Sequence, residues 1–232
     1  MAILIVQELY GAYLLWECGM MCTLKKNWDK KDTSDFWEKN KADYAGDVSA
    51  PEILKMSNKY IGSKVLDIGA GSGALINLIP NSTGLDIAPK QSNIIKGDIS
   101  NMPFRDRSFD TIFATEVLEH LDNDTLNKGI IEINRVLKKD GHLIITVPYN
   151  ENLNQNIVSC PDCGIKFHRW GHIQIFNEKN ISLMLKDNFE LIKIKKVPIG
   201  FNATYKFLKY FRWLIEKFGF LKDQNLLLVA KK

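Results

Sequence analysis

The chain has 232 residues, a net charge of +4, and is 45% hydrophobic and 25% charged. That balance excludes a disordered or collagen-like chain and fits one globular domain with a substantial core. Four cysteines are too few for a disulfide scaffold; reduced thiols and a cytoplasmic setting are expected. Charge is uneven along the chain. From Lys193 to Lys232 ten Lys/Arg stand against two acidic residues, a balance of +8, which leaves −4 on the rest. A basic, aromatic C-terminal part suits an anionic partner or surface as well as a solvated face.

Residues 1–45 read as an entry segment, and 46–232 as the main domain. The first 24 residues are apolar but interrupted by Glu8 and Glu17. No positive charge precedes them, as a signal peptide requires, and a membrane span would have to bury both carboxylates. A packed helix, or a start at Met20 or Met21, is expected over an anchor. Residues 51–60 read as a helix with Pro51 at its start. Lys64–Ile68 (KVLDI) is a short apolar run of the kind that forms a buried parallel strand. The Gly-rich segment after it reads as a turn opening a helix that Pro80 and Asn81 end. Further strands are expected at Thr83–Ile87, Asn93–Lys96 and Asp110–Ala114. A helix from Thr125 to Leu137, capped by Asp124, leads through the turn Lys139-Asp140-Gly141 to a strand at His142–Val147. Leu191–Val197 and Leu226–Ala230 read as two late strands. Strands alternating with helices predict an α/β fold around a doubly wound, mostly parallel sheet.

The sharpest chemical signal is V65-L-D-I-G-A-G-S-G73. An apolar strand ends in Asp67, and Gly69, Gly71 and Gly73 follow at alternate positions around Ala70 and Ser72. Glycines let the backbone turn tightly and approach a ligand, and ligands of open α/β sheets sit beyond the strands' carboxyl ends. Asp86 closes the second strand, where a carboxylate can accept both ribose hydroxyls, and Asp98 closes the third. The dinucleotide fingerprint wants G-x-G-x-x-G; here the spacing is G-x-G-x-G with Ala74 in the third-glycine place, which counts against NAD.

These stretches, together with GLDI (84–87), GDISNMPFRDRSFD (97–110), FATEVLEHL (113–121) and LKKDGHLIITVP (137–148), resemble the class I S-adenosylmethionine-dependent methyltransferases. The resemblance implies a seven-stranded Rossmann-like sheet with its last strand, Leu226–Ala230, antiparallel, and S-adenosylmethionine as cofactor. It implies that Asp67 and Gly69–Gly73 border the methionine and ribose portions. Asp86 would hold the ribose hydroxyls with Ile87 against the adenine, and Asp98 the adenine amino group with Ile99 beside it. Thr115 and Glu116 would line the methionine end. A general base is needed only where the acceptor carries a proton; His120, Tyr149 and His172 are the candidates.

A second signal lies in the loop 158–173, where Cys160, Cys163, His168 and His172 run C-x2-C-x4-H-x3-H. Two thiolates and two imidazoles can satisfy tetrahedral zinc. The alternative is a substrate-side loop with free thiols, in which His172 opens GHIQIF beside the active site. The segment 201–220 holds eight aromatics and reads as an amphipathic helix that lies on an anionic membrane, covers a hydrophobic substrate, or packs on the sheet edge. No Asn-Pro-Pro-Tyr-type element is present, so a small-molecule or lipid-like acceptor is expected ahead of nucleic acid. A nucleic-acid or protein methyltransferase, or a non-catalytic binding module, is the alternative.

Overall fold

The computed structural model describes residues 46–159, 166–199 and 225–232. The segments 1–45 and 201–220, Cys160 and Cys163 lie outside them, so the expectations for these rest on sequence alone. Of the described residues, 46–151, 174–199 and 225–232 form one compact unit, and 152–159 and 166–173 belong to a second.

The first unit is built on seven strands: β1 (Val65–Ile68), β2 (Ser82–Asp86), β3 (Ile94–Lys96), β4 (Phe109–Thr115), β5 (Leu137–Pro148), β8 (Glu190–Val197) and β9 (Asn225–Lys231). Their order in the sheet is β3-β2-β1-β4-β5-β9-β8. The pairs among β1 to β5 are parallel, and β9 runs antiparallel to both β5 and β8. The expected fold, including the antiparallel last strand, is the one observed. Among the described residues three α-helices accompany the sheet: α1 (Gly46–Ser57), α2 (Asn123–Val136) and α3 (Glu178–Leu185).

The central strands are apolar on both faces because both faces are covered. Leu226, Leu228 and Ala230 of β9 join Leu143 and Ile145 of β5 in one core, with Ile130 and Ile133 of α2 and Ile181 and Leu185 of α3. The intervening Leu227, Val229 and Ile144 enter a second core with Ala50 and Ile53 of α1. Side chains alternate with period two, so one strand feeds two cores. Each fully buried aliphatic side chain contributes about 1.5–3 kcal/mol.

Several local expectations differ from the structure. Between Gly73 and Pro80 only a short 3-10 turn forms, Ile76–Leu78; the stretch is too brief to offset helix nucleation. The cap of α2 is Asp122, not Asp124: its carboxylate accepts from the Thr125 N–H at 3.0 Å and the Thr125 hydroxyl at 2.7 Å. Pro51 sits inside α1, which begins at Gly46. The Lys139-Asp140-Gly141 turn is absorbed into β5, with Asp140 in the left-handed region at φ 63. Helix α3 was not expected; Asn177 and Asn180 form a reciprocal capping box at its start. In the second unit β6 (Ile157–Ser159) and β7 (Lys166–His168) form an antiparallel hairpin where only a loop was expected.

Candidate functional site

Sheet order reverses at β1: the chain steps from β1 outward through β2 and β3, then returns to β4 on the other side. The crevice at such a switch point, beyond the strands' carboxyl ends, is where ligands bind in open α/β sheets. The predicted residues converge there. Gly69 and Ala70 both donate to the Leu85 carbonyl of β2, at 2.8 and 3.1 Å. Gly71 donates to the Asp86 carboxylate at 2.7 Å, and the other Asp86 oxygen accepts from the Ala88 N–H at 2.7 Å. Gly69, Gly71 and Gly73 all have positive φ, at 69, 50 and 79, a conformation that costs other residues strain. A Cβ at Gly69 would also fall 2.3 Å from the Val117 side chain. The turn after β1 therefore lies directly against the segment after β4. Gln91 braces it, donating from its side-chain amide to the Ser72 carbonyl.

Asp67 is buried beneath this turn, and its Oδ1 has no hydrogen-bond partner. Burial, and then the neighbouring Asp86 charge, push its carboxyl up to about 8. An orphaned buried carboxyl below a glycine cradle fits a ligand that brings a positive charge, and the ammonium and sulfonium of S-adenosylmethionine meet that requirement. Asp98 stands after β3, where its Oδ1 accepts from the Ser100 N–H and hydroxyl, both at 2.8 Å. Ile87 is half-buried. Ile99 is buried in the main core facing Gly129 of α2, where an added Cβ would lie 3.1 Å from it.

Thr115 ends β4 opposite Thr146 of β5. Glu116 follows with φ 53, its N–H donating to the Thr146 carbonyl at 2.9 Å. Asn225, the first residue of β9, donates from its side-chain amide to both Glu116 oxygens, at 3.0 Å each. His120 is half-buried in the 3-10 turn Leu118–His120. Tyr149 lies at the end of β5, its hydroxyl 2.7 Å from Lys196, which also pairs with Glu178 at 2.8 Å. In the second unit the His168 and His172 rings stack with centroids 4.8 Å apart. His168 Nδ1 accepts from the His172 N–H at 3.1 Å, which places the ring proton on Nε2.

Three residues around the site went unremarked in the sequence. Asn225 signals itself only as a polar residue opening an apolar strand. Gln91 carries no local signal. Glu119 stands inside the apolar run V-L-E-H-L, where a carboxyl is out of place, and it is wholly buried.

Residues 66–145 match the family model of the methyltransferase domain. That match covers about a third of the chain, and the strand order is the one that the resemblance to the class I S-adenosylmethionine-dependent methyltransferases implies. An uncharacterised protein of Methanocaldococcus jannaschii is 32% identical over 150 residues, covering 57% of this chain and 64% of that protein. The demethylmenaquinone methyltransferase of Tropheryma whipplei is 30% identical over 107 residues, covering 39% and 44%. The tRNA (carboxymethyluridine(34)-5-O)-methyltransferase of Arabidopsis thaliana is 33% identical over 97 residues, covering 37% of this chain and 24% of that protein. Among solved structures, the 1,6-didemethyltoxoflavin-N1-methyltransferase of Burkholderia thailandensis, with its substrate and S-adenosylhomocysteine bound, shares the fold. Its TM-score is 0.56 at 16% identity, covering 87% of this chain and 83% of that one. The chain spans less than two thirds of the first curated relatives it matches, 64% and 41% of their lengths. Among the described residues, no helix is long and apolar enough to cross a membrane.

Proposed function

We propose that this chain moves a methyl group from S-adenosylmethionine to a small-molecule or lipid-like acceptor. The observation that carries the reading is the tie between the glycine turn and Asp86, with the orphaned Asp67 carboxyl beneath it. The bound cofactor supplies a methyl on a sulfonium, an electrophile that needs no further activation. Asp67 then faces the ammonium of the methionine portion, and Gly69, Ala70, Gly71 and Gly73 bring bare backbone against it. Asp86 has both oxygens fixed by amides and is aligned to accept from the ribose hydroxyls. Ile87 lies against the adenine, with Asp98 and Ile99 at its far edge. Thr115 and Glu116 border the methionine end. Holding an acceptor in line with the S–CH₃ bond is worth about 7–11 kcal/mol. His120, His172 and Tyr149 are the candidates to take a proton from the acceptor.

The relatives that act on demethylmenaquinone and on 1,6-didemethyltoxoflavin support a small or lipid-like acceptor. The tRNA methyltransferase relative, and the basic stretch from Lys193, favour nucleic acid as the second reading. Salt-dependent retention on tRNA separates the two. Zinc at Cys160, Cys163, His168 and His172 is a separate element of the proposal, tested by zinc content in wild type and in Cys160→Ser. The cofactor reading is tested by calorimetric titration with S-adenosylhomocysteine, followed by an acceptor screen with labelled S-adenosylmethionine. Wild type should bind, and Asp86→Asn should bind far more weakly; equal affinity in the two would remove Asp86 from the site.

A further inference from the structure

Gln91 joins two segments that border the crevice, and the cofactor reading gives it no task. Its side-chain amide donates to the Ser72 carbonyl in the turn after β1. Its own carbonyl accepts from the Ile94 N–H at 3.2 Å, where β3 begins. The carboxamide sits in a place that a side chain would fill: a Cβ on Gly73 would lie 3.1 Å from its oxygen and 3.2 Å from both its carbon and its nitrogen. The missing Cβ is what lets the amide close on the turn. Asp86 makes a second tie between the same two segments, accepting from the Gly71 N–H at 2.7 Å. Two consecutive residues of the glycine turn, Gly71 and Ser72, are thus held by the two ends of one short segment, 86–91. That segment carries Asp86 and Ile87, and Pro89 removes one of its soft dihedrals. A segment pinned at both ends has little conformational freedom left to lose when a ligand arrives.

We propose that Gln91 is a positioning residue for the nucleoside half of the cofactor. By tying the segment after β2 to the turn after β1, it keeps Asp86 and Ile87 in the arrangement that receives ribose and adenine. This rests on the cofactor reading. Gln91 touches no ligand in this role. It acts through the fraction of molecules that hold the competent arrangement, and apparent affinity falls in proportion to that fraction. With the Ser72 tie cut, Asp86 alone would have to hold the segment against the turn. What is lost is one neutral hydrogen bond at a half-buried position, which sets the expected weakening at about two- to tenfold.

The test compares Gln91→Met and Gln91→Glu with wild type in the full chain, by calorimetric titration with S-adenosylhomocysteine and by urea denaturation. Gln91→Met keeps length and bulk but removes the donor, and should weaken binding by about fivefold. Gln91→Glu keeps the shape but turns an acceptor on the Ser72 carbonyl, and should weaken it further, by at least about tenfold. That order, wild type then Met then Glu, is the signature of a donated hydrogen bond rather than of packing. In the ligand-free chain the Gly71 amide hydrogen should exchange faster in both variants, because its partner Asp86 is less firmly held. A purely structural Gln91 would lower the urea midpoint and leave the affinity of the folded chain as it was. Equal affinity in wild type and both folded variants, or unaltered Gly71 exchange, overturns the proposal alone. A wild type that binds no S-adenosylhomocysteine overturns the cofactor reading, and the proposal with it.

Discussion

Replacing Asp67 with asparagine should uncouple cofactor binding from proton release. With its carboxyl pushed up to about 8 by burial and by Asp86, roughly nine in ten molecules hold Asp67 neutral at pH 7. In the proposed complex a cationic ammonium lies beside it, and an adjacent positive charge favours the ionised form. Binding at neutral pH then expels close to one proton. The sign is fixed: affinity should rise with pH by about tenfold, or ~1.4 kcal/mol, per pH unit below the free-state value and level off above it. Calorimetric titration of S-adenosylhomocysteine in two buffers of different ionisation enthalpy counts the protons directly. Asp67→Asn should abolish the count and flatten the pH profile. An affinity independent of pH across that range, or proton release that survives in Asp67→Asn, would refute the reasoning.

The same carboxyl makes stability pH-dependent. Its folded-state value lies above the ordinary carboxyl value of 3.8, so its contribution is fully present below about pH 4 and is lost as pH rises toward about 8. Asp67→Asn should therefore gain stability relative to wild type on going from mildly acidic to mildly alkaline buffer, measured by urea titration. Asp86→Asn replaces one acceptor oxygen with a donor; loss of one charge-assisted hydrogen bond to the ribose predicts about 1.5–3 kcal/mol of S-adenosylhomocysteine affinity, read by calorimetry. Asp122→Ala removes the cap that holds Thr125 at 3.0 Å and should cost about 1 kcal/mol in chemical denaturation. Gly84→Val places its first added carbon 3.0 Å from Ala70 Cβ and 3.1 Å from Ile94; overpacking there predicts a loss of about 1–3 kcal/mol, visible as a lower thermal midpoint.

The sheet was legible in the sequence because its strands are doubly buried. Runs such as KVLDI and HLIITV are apolar at every position, and apolar runs bounded by turn residues read as strands whatever packs on them. Asp67, Asp86 and the three glycines were legible because strand ends and backbone freedom are local properties. What failed was set by tertiary contact. Asp122 and Asp124 are equal candidates for a cap until the path of the chain decides which carboxylate meets Thr125. The segment after Gly73 looked helical because nothing in its composition reports how soon the chain must turn back into β2. Asn225 meets Glu116 across more than a hundred residues of sequence, and no local pattern encodes such a pairing. Ile99 packs on Gly129, whose missing Cβ makes the room, and no local pattern encodes that contact either.

The sheet order carries a consequence for synthesis. Strand β8 leaves the ribosome before β9, yet β9 is its neighbour in the ladder and stands between it and β5. Until residues 225–231 emerge, β8 has no edge to join, and the outer edge of β5 stays open to any passing strand. The nascent chain thus holds an unfinished template for as long as translation takes to cross the intervening segment. Slowing translation there should raise aggregation and chaperone demand without altering the finished molecule.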